Sequence, residues 1–198
     1  MARYINKNDI NNNADKTAFK YNENKTAVFL FDFVKTIISV FSVMIIIFTF
    51  LVREISIEGD SMRDILHDKD KVVITDIFYT PNNNDIVVID TPYLKEKRII
   101  KRVIATEGQT LSINYDTGEV CVDGIILDEE YIFSETDRPS REYKIPYIIP
   151  LDYNFVMGDN RSVSLDSRDS TIGLVPDKDV IGKAQFIFFP LDRLTYLY

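Results

Sequence analysis

The sequence predicts a mostly β domain, packed as an antiparallel barrel or sandwich, behind one N-terminal transmembrane helix. Three observations lead there. A single 20-residue apolar run extends from Phe33 to Val52. Apolar segments of strand length follow it, separated by turn residues, and helical periodicity is weak outside the run. A chain of 198 residues suits one domain plus an anchor, and a hydrophobic content of 45 % is enough for a core.

The apolar run, FVKTIISVFSVMIIIFTFLV, carries one charge, Lys35. About 20 residues cross a hydrocarbon core. The uncharged part, Thr36 to Val52, is at the short end of that range; Lys35 can snorkel to one interface and Arg53 closes the other. A cleaved signal peptide would have a shorter apolar region with a small-x-small site behind it. Here Arg53-Glu54-Ile55 follows instead. A buried core helix is the third reading. The expected division is a polar tail at 1–30, an anchor at 31–53 and a β domain at 54–198. The tail is Asn-rich (KNDINNNADK, YNENK) and reads as disordered or loosely helical. Up to Lys35 there are six basic and four acidic groups, and beyond it 17 basic and 27 acidic. The expected topology is a single pass through the cell membrane, with the slightly basic tail in the cytoplasm and the acidic domain outside.

Beyond the anchor, Lys71 to Ile74 and Asp85 to Ile89 read as strands, with Pro81-Asn82-Asn83-Asn84 as turn chemistry between them. Arg98 to Ile104 is a third strand. Leu111 to Tyr115 and Val120 to Val122 form a hairpin about Asp116-Thr117-Gly118, and Asp123-Gly124 begins another turn. Ala184 to Phe189 is a strand stopped by Pro190.

Composition removes several function classes. The net charge is −8 and no basic stripe exists, so nucleic acid is not an expected partner. Cys121 is the one cysteine, which excludes an intramolecular disulfide; it reads as a small buried strand residue. One Cys and one His cannot build a metal-ligand cluster, and no metal or cofactor is expected. His67, in LHDKDK, reads as a solvated loop residue, with a general base as the lesser alternative.

Three stretches can carry chemistry. In GDSMRDIL, Ser61 is a turn residue or a nucleophile, and a serine hydroxyl needs a base to attack at neutral pH. In RIIKRVI, strand alternation puts Lys101 and Arg102 on opposite faces, so one of the two charges should point toward apolar packing. A buried lysine is favoured in its neutral form. The bland alternative is an edge strand with both charges reaching water, and the strand alone favours it. With no usable histidine, a Ser–Lys pair is the remaining activated-serine arrangement. The third stretch, MGDNRSVSLDSR from Met157, is a polar loop in which Ser164, Asp166 and Arg168 share a face if the segment is extended.

GDSM, then KRVI, then GDNRSVSLDSR, behind an N-terminal anchor, resembles the bacterial type I signal peptidases of the small Gram-positive form. The resemblance covers roughly residues 33 to 190, and the closing GKAQFIFFPLDR belongs to it. It implies a signal-peptidase-like β fold, a serine endopeptidase without cofactor, and the signal peptides of secreted precursors as substrates, cut after a small-x-small motif. Carried over by residue, it implies Ser61 as nucleophile, accompanied by Met62, and Lys101 as general base. Gly59 and the Ser61 amide would serve the oxyanion. Ser164 would bond and orient Lys101, Asp166 and Arg168 would form a supporting pair, and Asp159 would pair with Arg102. The chain departs from the family at Asp64-Ile65, where Pro-Thr is usual, at Ala105 to Gln109 after KRVI, and at Lys69-Asp70 before Val72. A membrane-anchored β domain that binds precursors without cleaving them is the non-catalytic alternative. A Ser–Lys autocleaving repressor would need a DNA-binding domain where the tail and anchor stand.

Overall fold

A computed structural model describes residues 25–46, 53–76, 79–91 and 98–197 of the chain. The chain forms two units, Met1–Phe50 and Leu51–Tyr198. The first holds α1 (Lys25–Ile46), 22 residues that are long and apolar enough to cross a membrane. At 1.5 Å per residue the helix measures roughly 33 Å, against a hydrocarbon core of roughly 30 Å. It starts eight residues ahead of Phe33, because Ala27 to Phe31 extend the apolar surface back toward Lys25. The helix therefore takes in residues that the sequence assigned to the polar tail. The end of the apolar run, Ile47 to Val52, and the first 24 residues of the tail lie outside the described residues.

The second unit carries eleven strands among its described residues: β1 (Arg53–Ser56), β2 (Lys71–Thr75), β3 (Ile86–Asp90), β4 (Arg98–Ala105), β5 (Leu111–Asn114), β6 (Glu119–Val122), β7 (Ile125–Ile126), β8 (Tyr153–Met157), β9 (Val175–Pro176), β10 (Val180–Phe189) and β11 (Thr195–Tyr196). The large sheet runs β1-β2-β10-β3-β4-β8-β9, with β11 added to β10, and β5-β6-β7 make a small second sheet. Every strand pairing is antiparallel. No pairing among the described residues joins β9 back to β1, so the large sheet is open and not a closed barrel.

The apolar runs explain the placement. Ile86 and Val88 of β3 enter one core cluster, with Ile57, Met62, Leu66, Val72, Ile74, Ile100 and Ile187. Val87 and Ile89 enter another, with Val103, Val156 and Val175. A strand covered on both faces has no polar side to alternate with, which is why Ile86 to Ile89 reads as an unbroken apolar run. β10 begins at Val180, four residues before the expected start. Its early residues pair with β3 and its later ones with β2, across register shifts between Val180 and Gly182 and between Ala184 and Phe186.

β4 decides the site. From Arg102 onward it lies between β3 and β8, while from Arg98 to Lys101 it pairs with β3 alone. Lys101 and Arg102 are both buried, at 2 % and 1 % exposure. The reading with both charges in water is thereby overturned: the nucleophile turn covers Lys101 through Ser61, and Asp159 and Asn84 enclose Arg102.

Candidate active site

Ser61 opens a tight turn between β1 and β2. Gly59 before it has φ +84°, a left-handed conformation that glycine adopts without steric penalty. The turn is pinned from beneath by Met62 and Leu66, both buried in the core, and Leu66 N–H donates to Met62 O at 2.9 Å. Ser61, at the turn's start, is left at the surface of the cleft.

Lys101 reaches the turn from β4. Its Nζ lies 2.7 Å from Ser61 Oγ and donates to Ile100 O at 2.9 Å. Forty residues separate the two side chains in sequence, and the fold brings them into hydrogen-bond contact. Two clefts meet at this pair. One is walled by β1 and β4, with Ile55, Ile57, Met62 and Ile100 on its lining. The other lies across Ser61, beside Arg63, Asn160, Val163 and Leu165.

The loop after β8 supplies the frame. It is built of turns and not of extended chain, so Ser164, Asp166 and Arg168 do not form a strand face. Asp166 instead turns back: its carboxylate accepts from Arg168 N at 3.2 Å, from Arg168 Nε and Nη2 at 2.9 Å each, and from Gly158 N at 2.9 Å. Arg102 grips both oxygens of Asp159, at 2.9 and 2.7 Å, and lies 4.1 Å over the Tyr131 ring. Burial pushes the Asp159 carboxyl upward, and the Arg102 fork opposes that rise. A third buried arginine, Arg161, donates to Glu129, to Thr136 Oγ1 at 2.6 Å and to Gly158 O at 3.1 Å. Each of the three guanidinium groups thus has its own carboxylate, which a buried charge requires.

Ser164 Oγ is buried and makes no hydrogen bond in this structure, so a bond to Lys101 is not among those formed. The Gly59 amide donates to Asp68 Oδ1 at 3.1 Å. The Ser61 and Met62 amides have no hydrogen-bond partner among the described residues. His67 is half-buried: its side chain is 40 % exposed to solvent, while Nε2 is enclosed, with Asp64 Oδ1 3.8 Å away.

The model of the signal peptidase family, peptidase S26, matches residues 30–189. The chain belongs to that family. As a member it is a serine endopeptidase. Signal peptidase I P of Bacillus subtilis subsp. natto is 30 % identical over 84 % of this chain and 93 % of its own length. Signal peptidase I of Bacillus licheniformis is 34 % identical over 83 % of this chain and 91 % of its own. The crystal structure of a signal peptidase I from Enterococcus faecalis V583 shares 26 % identity, covering 53 % of this chain and 97 % of that one, at a TM-score of 0.42.

Sequence reasoning missed two groups in this family member. Glu129, with its neighbours in the irregular segment before β8, sits in no recognisable pattern; only the fold carries it to Arg161. Asn160 stood inside GDNR without an assigned task. Its N–H donates to Ser61 O at 3.0 Å and its Nδ2 to Asp60 O at 3.1 Å. An asparagine directly after Gly-Asp signals a turn, but nothing in sequence says which carbonyls it binds.

Proposed function

We propose that this chain is a membrane-anchored endopeptidase that removes N-terminal signal peptides from secreted precursors, with Ser61 as nucleophile and Lys101 as base. The observation that carries the proposal is the 2.7 Å separation of Lys101 Nζ and Ser61 Oγ at the junction of two clefts. Membership in the signal peptidase family supports the substrate class. The apolar α1 supports anchoring in membrane lipid, and the slightly basic tail ahead of an acidic remainder supports a single pass with the N-terminal tail in the cytoplasm and the β unit outside.

The chemistry follows from the geometry. Ser61 Oγ attacks the scissile carbonyl while uncharged Lys101 takes its proton. The carbonyl oxygen becomes an oxyanion, for which the Ser61 and Met62 amides are available donors. Lys101 then delivers the proton to the leaving nitrogen, the C–N bond breaks, and an ester to Ser61 remains. Water, activated by Lys101, hydrolyses that ester. The Asp159–Arg102 and Asp166–Arg168 pairs hold the surrounding loop, and Ser164 packs beside the nucleophile turn. Between Arg98 and Lys101, β4 has β3 on one side only, because β8 pairs from Arg102 onward. An extended peptide entering the β1–β4 cleft can add there as a strand.

The test uses the full chain in detergent with a precursor peptide. Ser61→Ala, Lys101→Ala and Lys101→Arg should each abolish cleavage without preventing membrane insertion. Arginine keeps the positive charge but stays protonated and cannot act as a base. Turnover persisting in Lys101→Arg would remove lysine as the base. Turnover persisting in Ser61→Ala would remove the serine mechanism, and a wild-type chain that binds precursors without cutting them would establish the non-catalytic alternative.

A further inference from the structure

We infer that Asn160 is a positioning residue that aims both oxyanion donors of this site, an inference that rests on the proposed serine mechanism. Two observations meet. The amides without hydrogen-bond partners among the described residues of the nucleophile turn include those of Ser61 and Met62. The carbonyls that Asn160 holds are those of Asp60 and Ser61, at 3.1 and 3.0 Å. These four groups belong to two peptide planes.

A trans peptide is rigid, and its C=O and N–H point in opposite directions. The only cis bonds among the described residues are Arg63–Asp64 and Phe189–Pro190, so both planes here are trans. Fixing Asp60 C=O therefore fixes the direction of Ser61 N–H. Fixing Ser61 C=O likewise fixes Met62 N–H. One residue grips the rear of each plane and turns both N–H groups away from itself. Asn160 is in turn locked: its Oδ1 accepts from Ser134 Oγ at 3.0 Å, Ser134 Oγ also accepts from Ser162 N at 3.0 Å, and Asn160 is 6 % exposed.

Orientation is what such donors need. A hydrogen bond weakens steeply as its angle closes toward ~120°. A donor aimed before the reaction costs no reorganisation when the oxyanion forms, and losing one outright typically lowers kcat by about 100- to 1,000-fold. Asn160→Ala removes only the side-chain grip, on Asp60 C=O, and leaves the backbone grip on Ser61 C=O. The expected loss is smaller, roughly 10- to 100-fold in kcat.

The experiment measures kcat and KM separately for the full chain in detergent, with wild type, Asn160→Ala and Ser134→Ala. It adds the affinities of a peptide boronic acid, which forms a tetrahedral adduct on Ser61, and of an uncleavable peptide of the same sequence. In Asn160→Ala, kcat and boronate affinity should fall by a similar factor, with KM and uncleavable-peptide affinity nearly unchanged. Ser134→Ala, which frees Oδ1 but keeps Asn160, should lower kcat about threefold. Equal losses for boronate and uncleavable peptide would reduce Asn160 to a structural role and overturn the inference, as would an unchanged kcat. If Asn160→Ala does not fold, an unchanged kcat in Ser134→Ala overturns it. A wild type that does not cleave, or cleavage surviving Ser61→Ala, refutes the underlying mechanism instead.

Discussion

Gly158→Ala tests whether the loop after β8 sets the position of the nucleophile. A Cβ at Gly158 would lie 2.5 Å from Ser61 O, 2.2 Å from Ser164 Oγ and 2.6 Å from Ser164 Cβ. Ordinary contact begins near 3.4 Å, so Ser61 O must retreat by about 0.9 Å. That carbonyl is held by Asn160 N–H and belongs to the same plane as Met62 N–H, so the retreat tilts a proposed oxyanion donor. Misplacement of about 1 Å commonly costs about 100-fold in rate. Overpacking should also destabilise the protein by about 1–3 kcal/mol, at roughly 2–4 °C in Tm per kcal/mol. The assay is kcat/KM on a precursor peptide, with a thermal melt of the same preparation. Adding Ser164→Gly removes the Ser164 contacts but not the one to Ser61 O. The double variant should therefore recover Tm in part while its rate stays low. Wild-type kcat/KM in Gly158→Ala would show that the turn yields freely and would refute the reasoning.

Two further predictions concern stability. Glu129→Ala strips the carboxylate from Arg161, whose side chain is fully enclosed, and should cost about 3–5 kcal/mol in chemical denaturation; a loss below ~1 kcal/mol would show that water reaches the guanidinium. Asp123 is exposed, and its carboxyl is held below the usual range by Thr110 N–H at 2.8 Å, with Gln109 Nε2 at 3.0 Å and the Thr110 hydroxyl helping. A depressed folded pKa adds stability above the unfolded value, near ~4, and that stability is lost as pH falls through the folded one. Asp123→Asn should therefore lower the urea midpoint at neutral pH and flatten its fall below about pH 4, and parallel curves for the two proteins from pH 6 to 2 would count against it.

The amino-acid sequence by itself determined the local elements and, through its motifs, the family. Apolar runs of strand length, broken by Asn, Asp, Gly and Pro, are readable because side-chain periodicity and turn sterics act over a few residues. The same holds for α1, whose apolar surface is continuous along the chain. Serine with lysine as its base is what the resemblance of GDSM, KRVI and GDNRSVSLDSR to the signal peptidases implies, and residue types alone left it open. What only the tertiary structure decided is everything that depends on distant partners. β4 alone does not say that Lys101 and Arg102 are buried; that follows from the distant segments that fold over them, the Ser61 turn on Lys101 and Asp159 and Asn84 on Arg102. Asp166 and Arg168 bond through a turn and not across a strand face, and Gly158 N–H donates to the same carboxylate. Glu129 meets Arg161, and Asn160 meets Asp60 and Ser61 across 100 residues in the case of Asp60, through loop closures that leave no periodic trace in the sequence. Local pattern encodes which surface a residue faces, and only the closed fold determines what stands opposite it.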